Sequence, residues 1–238
     1  MTSPKRLARI AGFLYLLVGI FGGFAEGYVE PKMYVAGNAA ATAGNVVANA
    51  GLVRMGVLSD LLDGTFFVFL ALTLYVLLKD VHKSVARAML VLVALATGIT
   101  CLVAVFEFEG LRVATDVSYA SALGAAGASA LVMLLLDMQH YGLLVAQIFF
   151  GLWLAPLGYL AYKSAGLYPK WLGLLLIVGA ACYIVDLLAA FLVPDLGQKI
   201  HTYVVIPCAI AEISMVVYLL VIGVRTSRPK VERIRAAA

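Results

Sequence analysis

The sequence predicts an all-α, polytopic transmembrane helical bundle, and two observations lead to this fold class. Of the 238 residues, 64% are hydrophobic and 13% are charged, and the mean hydropathy is +1.03. Soluble domains carry about 25% charged residues, so this composition is typical of a chain that is solvated by lipid. The second observation is a series of apolar stretches long enough to cross a hydrocarbon core, which takes about 20 helical residues.

The apolar stretches predict six spans, with short interfacial helices on the outer side of the membrane. The spans are expected at 8–28, 52–78, 88–108, 137–162, 171–192 and 202–224. The expected domains are a cytoplasmic head, a single six-helix transmembrane domain and a basic cytoplasmic tail, at 1–7, 8–224 and 225–238. The alanine-rich stretch 38–49 is too polar to span, so it is expected to lie at the outer interface. The run 120–136 begins span four early, lies at the interface or is re-entrant, and the sequence leaves these three possibilities open.

The basic residues predict the orientation. Of the 17 Lys and Arg residues, 12 lie in the head, the tail and the loops 79–87 and 163–170, and Arg9 lies at the start of the first span beside the head, which makes 13. Because such residues concentrate on the cytoplasmic side, both termini are expected to be cytoplasmic. Their position at span ends also indicates the lipid bilayer, and not nucleic acid, as the partner of this chain. The remaining four are Lys32, Arg54, Arg112 and Lys199.

Acidic residues inside the predicted spans indicate a site. Asp63, Asp186 and Glu212 lie roughly 20–24 Å from the cytoplasmic span ends, at about 1.5 Å per residue, which places them in the outer half of the membrane. A charged side chain there costs at least about 2.5–3.5 kcal/mol, so it normally faces the bundle interior or a wet cavity. We therefore predict an outward-facing polar pocket. Its predicted ligand-binding residues are Arg54, Asp60, Asp63, Asp137, His140, Gln147, Asp186 and Glu212.

Helical spacing connects several of these residues. Asp60 and Asp63 are three residues apart, as are Asp137 and His140, so each pair shares one helix face. Gln147 lies two turns below His140 and continues the polar face of span four. Asp137 is expected to orient or charge the imidazole of His140.

Part of this pattern also fits a purely structural interpretation. Asp137 and His140 fit the water boundary of span four, and Arg54 fits an ion pair with Asp60 or Asp63.

The other acids have structural alternatives of their own. Asp186 and Glu212 fit protonated acids that are hydrogen-bonded between helices. Glu26, Glu107 and Glu109 lie near predicted span ends and are interpreted as interfacial.

Five stretches resemble a bacterial membrane family that is catalogued as a domain of unknown function. They are ARIAGFLYLL, LVRMGVLSDLLDG, DMQHYGLLVAQIFFGLWLAPLGYLAYKS, PKWLGLLLIVGAACYIVD and IPCAIAEISMVVYLLVIGVR. The resemblance covers nearly the whole chain and implies a fold, and the inner membrane of a bacterium as the location, but no activity. It implies recurring features at Asp60, Asp137, His140, Pro207 and Glu212. Gln139 stands in a stretch that reads Asp-Leu-His in the family, so the acid–histidine spacing differs here.

Three function classes fit the predicted pocket. In the first, it binds a small or lipid-like ligand from the outer leaflet, which requires only polar groups within apolar walls. In the second, the protein is an intramembrane metal-dependent hydrolase in which His140, His201 and carboxylates hold zinc. In the third, it is a small proton- or cation-coupled transporter, although the cytoplasmic halves of the spans lack ionisable groups. Whether the protein is an enzyme is left open. Cys101, Cys182 and Cys208 match neither a redox pair nor a zinc spacing.

Overall fold

A computed structural model describes residues 3–225, and the predicted tail after Arg225 lies outside the described residues. The described chain is helical and contains no strand. Its α-helices are α1 (Pro4–Phe24), α2 (Glu30–Met33), α3 (Ala39–Ala48), α4 (Ala50–Leu78), α5 (Lys83–Thr115), α6 (Val117–Lys163), α7 (Lys170–Leu192) and α8 (Pro194–Val221). A π-helical turn, Ala25–Val29, joins α1 to α2.

Six of these segments are long and apolar enough to cross a membrane, which confirms the predicted fold class. They are Pro4–Met33, Ala50–Leu78, Lys83–Thr115, Val117–Lys163, Lys170–Leu192 and Pro194–Val221. The chain is therefore a multi-pass membrane protein in contact with the lipid bilayer. The predicted boundaries of α7 differ from the observed ones by one residue, whereas α5 and α6 are much longer than the spans predicted for them.

The π-helical turn that follows α1 has a local cause in the sequence. Pro31 lies in the first turn of α2, and its ring would clash with the carbonyl of the residue four positions earlier in a regular α-helix. That residue is Gly27, within the wider π-helical turn. The turn therefore lets the helix continue to Met33, where the sequence predicts a loop after residue 28. π-Helical turns occur frequently at functional sites.

In the structure, the run 120–136 belongs to the first part of α6, which continues into span four. Helix α6 continues through this run, with a kink at Gly124, where φ is +73°. Glycine adopts this left-handed conformation at little cost. From Gly124 to Lys163 the helix extends roughly 60 Å at about 1.5 Å per residue, which is about twice the thickness of a hydrocarbon core. Helix α6 therefore extends well beyond the span that contains Asp137 and His140.

The predicted helix at 38–49 is confirmed as α3. Asn38 caps its first turn, because its side-chain oxygen accepts a hydrogen bond from the backbone N–H of Ala41 at 3.0 Å. Thr42 and Val46 are buried, and Val46 belongs to an apolar core formed by residues of α2 to α6 and of the π-helical turn. This core consists of Val29, Met33, Val46, Val53, Leu111, Val113, Val132 and Leu136.

Contacts within the chain divide it into two compact units. The first unit contains the chain up to Phe13, the segment Leu70–Val91 and the chain from Gly151 onward. The second contains Leu14–Phe69 and Leu92–Phe150. The predicted pocket residues are distributed over both units, so the two groups are described separately below.

Candidate functional site

Helices α1 and α4 of the second unit pack in an antiparallel register that is set by two glycines. A Cβ atom on Gly22 would lie 3.4 Å from Asp63 Oδ1, and one on Gly56 would lie 2.9 Å from Val29 Cγ1. Residue 22 is thus opposite residue 63, and residue 29 is opposite residue 56. This register brings Glu26 to the level of Asp60, and Glu26 lies within electrostatic range of both Asp60 and Asp63.

Asp60 meets an acid that the sequence analysis interpreted as interfacial. Asp60 is 3% exposed and Glu107 is 2% exposed, and their side chains share a hydrogen bond. Gly56 allows this contact, since a Cβ on Gly56 would lie 3.0 Å from Glu107 Oε1. An ionised carboxylate has no hydrogen to donate, so one member of this pair carries a proton. Glu107 is therefore a buried partner of Asp60.

Helices α5 and α6 continue the same level across the unit. A Cβ on Gly110 would lie 3.3 Å from Leu136 Cδ2, and one on Gly142 would clash with Val103. Gln139 lies midway between Leu136 and Gly142 on α6, and Glu107 lies between Val103 and Gly110 on α5. The two contacts therefore place the backbone of Gln139 level with that of Glu107. Gln139 lies on the same face of α6 as Leu136 and Gly142, which is the face that packs on α5.

Gln139 is buried and has no hydrogen-bond partner within residues 3–225. Its side chain is 5% exposed. Among the described residues, the fully buried side-chain oxygen and nitrogen atoms without a hydrogen-bond partner belong to Tyr168 and Tyr218. The amide atoms of Gln139 are not among them, so they retain contact with open space.

Four helical segments therefore each place one polar side chain within about one helical turn of the same level, and we call this set the polar layer. The polar layer consists of Glu26, Asp60, Glu107 and Gln139. Glu26 is exposed and the other three are buried. At about 1.5 Å per residue, the layer lies roughly 27–36 Å along its helices from the ends at Pro4, Leu78, Lys83 and Lys163. The layer is thus near the membrane boundary opposite those ends, given a core of about 30 Å.

His140 lies beside this layer, and its partner differs from the one expected. Its Nδ1 is 2.7 Å from Glu30 Oε1, so Glu30, and not Asp137, holds the imidazole. The ring of His140 stacks on Tyr34, with 5.0 Å between the ring centroids. When Nδ1 donates to Glu30, Nε2 is the ring nitrogen left to accept a proton or a hydrogen bond.

Asp137 is engaged by the same tyrosine. Tyr34 Oη donates a hydrogen bond of 2.6 Å to Asp137 Oδ1. Burial, and secondarily this hydrogen bond, raise the pKa of the Tyr34 phenol above its usual value, so the phenol remains a donor at neutral pH. Glu30 also lies within electrostatic range of Asp60 and Glu107. We call Glu30, Tyr34, Asp137 and His140 the His140 cluster.

The other predicted residues of this unit occupy different environments. Asp63 is 7% exposed and packs against the Cα of Gly22. Gln147 is half-buried. Arg54 is exposed and takes part in no ion pair within the part of the chain that the structure describes. The structural interpretation in which Arg54 holds Asp60 or Asp63 is therefore wrong.

In the first unit, the remaining predicted acids connect α7 to α8. His201 Nδ1 lies 3.0 Å from Asp186 Oδ2, and Tyr183 Oη donates a hydrogen bond of 2.8 Å to Glu212 Oε1. Asp186 is 2% exposed, and the helices approach closely where Cys208 Sγ donates to the Gly179 carbonyl oxygen at 3.4 Å. Asp186 and Glu212 thus each take part in a hydrogen bond between α7 and α8, as expected if these acids have a structural role.

Within the described residues, the predicted site contains no group of side chains arranged to bind a metal ion, and its residues do not line a cavity. Residues 3–225 contain no group of three or more His, Cys, Asp or Glu side chains that could hold a metal ion. His140 is paired with Glu30 and His201 with Asp186. A cavity of about 490 Å³ lies between α3, the end of α5 and the start of α6, and none of the predicted pocket residues lines it.

Sequence reasoning missed five residues of this arrangement: Glu26, Glu30, Tyr34, Glu107 and Gln139. One local signal was available, because Glu26 lies within the π-helical turn and Glu30 directly follows it, one helical turn later. The other contacts join residues that are distant in the sequence. Tyr34 and Asp137, for example, are separated by 103 positions.

Comparison with known proteins gives a family but no activity. The sequence profile of a family described as "Domain of unknown function (DUF4386)" matches residues 10–223. A curated protein of Archaeoglobus fulgidus, described as an uncharacterized protein, is 49% identical over 47 residues, which are 20% of this chain and 28% of that protein. The match thus spans less than a third of that relative's length. No solved structure matches the chain.

Proposed function

Since the chain belongs to the DUF4386 family of membrane proteins, whose description names no activity, we propose its function from the geometry of the polar layer. We propose that it binds a small or lipid-like ligand through a polar pocket that opens toward the outer half of the bilayer. The proposed location is the cytoplasmic membrane of a bacterium, with both termini cytoplasmic. The orientation follows from the basic residues at the opposite helix ends.

The observation that carries the proposal is the convergence of Glu26, Asp60, Glu107 and Gln139 from four helical segments. Asp60 and Glu107 are buried in the packed unit, where a polar group is costly unless it is hydrogen-bonded. One hydrogen-bonded pair would be enough for these helices to associate. The polar layer contains two buried acids and also an amide without a partner among the described residues, which is more than helix association requires. The exposed Glu26 provides a point of entry, and the His140 cluster adds a second set of hydrogen-bonding groups beside it.

The predicted pocket residues have different parts in this proposal. Asp60, Asp63, Asp137 and His140 bind the polar group of the ligand, directly or through their partners. Gln147 and Arg54 lie farther along the same helices and extend the site. Asp186 and Glu212 remain predicted ligand-binding residues of the first unit.

Neither alternative function has a specific observation in its favour. A hydrolase that uses zinc would require His140 and His201 to act as ligands, and each has its Nδ1 beside a carboxylate. A proton- or cation-coupled transporter would require acidic or histidine side chains along the rest of the spans, and the sequence provides none in their cytoplasmic halves. We propose no reaction.

The experiment that tests the proposal is mass spectrometry of small molecules that co-purify with the protein in detergent. We expect a molecule that is retained by the wild type and lost from His140→Ala. His82→Ala is the matched control, because His82 lies in the loop between α4 and α5 and belongs to the first unit. Retention of the same molecule by His140→Ala would remove His140 from the site, and absence of any retained molecule in all preparations would contradict the proposal.

A further inference from the structure

The cavity of about 490 Å³ between α3, the end of α5 and the start of α6 lies apart from the polar layer. The residues that line it fall within 40–48 and 113–132, and all of them belong to the second unit. Pockets that bind small molecules commonly have volumes of about 300–1,000 Å³. The cavity is therefore large enough for a ligand and is formed by one compact part of the chain.

Two helices face this cavity with the same spacing of residues. The lining face of α3 runs from Ala40 to Val47, and that of α6 runs from Ala125 to Val132. In each helix the lining residues include positions i, i+3, i+4 and i+7, which lie on one face of a helix. Helix α6 also lines the cavity before its kink at Gly124, through Ala120. The helix thus bounds this space on both sides of the kink.

Small side chains keep the space between these helices open. More than half of the residues that line the cavity are Ala or Gly, and among these described residues none is aromatic. A Cβ atom on Gly44, which belongs to the lining, would meet no other atom within 4 Å. Folded interiors leave few voids larger than a water molecule. A space of this size between helices is therefore a candidate binding site.

The lining is apolar where it is deepest. Val113 and Val132 line the cavity, are buried, and belong to the apolar core of this unit. Thr115 and Asp116 lie at the exposed end. Thr115 Oγ1 donates to the Leu111 carbonyl oxygen at 2.8 Å, and Asp116 Oδ1 accepts from the backbone N–H of Ser118 at 2.9 Å. A bound water molecule needs two to four polar partners, so the deep part of the cavity suits an apolar ligand.

The cavity lies farther along the helices than the polar layer. At about 1.5 Å per residue, Val113 is roughly 45 Å from Lys83 along α5, and Ser129 is roughly 51 Å from Lys163 along α6. A bilayer with its head groups is about 40–45 Å thick. The hydrocarbon of the bilayer therefore does not reach this apolar lining when the basic helix ends lie at the opposite membrane surface.

From these observations we infer that the cavity binds the hydrocarbon chain of an amphiphile drawn from the bilayer. The bilayer is the source of such chains, because the helices that form the cavity continue directly into membrane-spanning segments. A flexible chain of methylene groups matches walls of alanine and valine side chains. The chain enters toward Val113 and Val132, and the head group stays at the exposed end, beside Asp116. This site is separate from the proposed polar pocket and does not depend on it.

The test is photo-crosslinking with palmitic acid that carries a diazirine on its chain. The full-length protein in nanodiscs of phosphatidylglycerol is irradiated with this probe, and mass spectrometry of peptides locates the adducts. Probe dissolved in the bilayer labels apolar surface residues of α7 such as Leu174, which is 57% exposed. We expect further adducts on the lining segments 40–48 and 125–132. An excess of unlabelled palmitic acid should abolish these adducts and leave the α7 adducts unchanged, since a site saturates and a bilayer does not.

A variant that fills the cavity ties the adducts to this site. Gly44→Leu should abolish the adducts on 125–132, because the leucine side chain occupies the space that the chain needs. Gly51→Leu is the matched control, since Gly51 is also an exposed helical glycine with no atom within 4 Å of a Cβ, but it does not line the cavity. It should keep the adducts. The competition measured in the wild type keeps the test decisive if Gly44→Leu fails to fold.

A second probe, phosphatidylglycerol with the diazirine on one acyl chain, identifies the source of the chain. Adducts on 125–132 that Gly44→Leu abolishes would identify a membrane lipid, whereas such adducts with palmitic acid alone would identify a single-chain amphiphile. Either result supports the inference. The absence of adducts on the lining segments with both probes, or adducts that persist under competition and in Gly44→Leu, would overturn it. The proposed function would stand in that case, because its test concerns His140.

Discussion

Asp60 and Glu107, on adjacent antiparallel helices, share a hydrogen bond although each side chain ends in a carboxyl group. An amide is a donor of the same shape as a protonated carboxyl group, so Glu107→Gln should keep the bond and change Tm little. Glu107→Leu should leave Asp60 buried without a partner, at a cost of about 1–3 kcal/mol, and lower Tm by about 2–12 °C. Thermal unfolding in detergent measures both variants, and an equal loss in the two would contradict the shared hydrogen bond.

Gly56 should be essential for this contact. A Cβ there would lie 2.9 Å from Val29 Cγ1 and 3.0 Å from Glu107 Oε1, so Gly56→Ala should force the helices apart and cost about 1–3 kcal/mol. Gly51→Ala is the matched control on the same helix, since a Cβ on Gly51 would meet nothing within 4 Å. We expect a lower Tm for Gly56→Ala and an unchanged or slightly higher Tm for Gly51→Ala. The reverse order would contradict the register of α1, α4 and α5.

Tyr34 should stabilise the His140 cluster through its hydroxyl group. Tyr34→Phe removes the 2.6 Å hydrogen bond to Asp137 and leaves the ring that stacks on His140. A hydrogen bond to a charged group contributes about 1.5–3 kcal/mol, so Tm should fall by about 3–12 °C. Asp137→Asn should have a smaller effect, because the asparagine carbonyl oxygen still accepts from the phenol. Unchanged thermal unfolding of Tyr34→Phe would show that this hydrogen bond contributes nothing.

The spans could be predicted because crossing a membrane is a property of local composition. Helix α7 is an example: its apolar run has the required length and ends at charged or turn-forming residues, so both boundaries were found within one residue. Glu107 was interpreted as interfacial because Glu109 and Arg112 follow it closely and suggest the end of a span. The helix in fact continues to Thr115, and this continuation is what places Glu107 inside the packed unit.

The partners within the candidate site could not be predicted because they depend on the register between helices. Glu30 is 110 positions from His140, and no local pattern links them, whereas Asp137 is one turn from His140 and was the natural choice from spacing. The register of α4 and α5 depends on Gly56, a residue whose role is visible only when its neighbours are known. Asp186 and Glu212 were correctly located within helices, but their partners, His201 and Tyr183, also come from packing.

The orientation should be testable with reporters that are active only in the periplasm. A reporter fused after Ala238 should be silent if both termini are cytoplasmic. One inserted at Gly37 should be active, and this turn accepts an insertion because nothing lies within 4 Å of a Cβ there. Activity of the C-terminal fusion, or silence at Gly37, would contradict the topology on which the outward-facing site depends.

The most direct test of the central claim is the reactivity of a cysteine in place of Glu26. In a background without Cys101, Cys182 and Cys208, Glu26→Cys should react with 2-aminoethyl methanethiosulfonate, because its side chain is exposed at the entrance to the polar layer. Ala25→Cys, at a neighbouring position that is 6% exposed, should react much more slowly in the same folded protein. Rapid modification at 26 and protection at 25, followed by mass spectrometry, is the result that this account predicts. Equal protection at both positions would mean that the polar layer is closed to ligands and would contradict the proposed binding site.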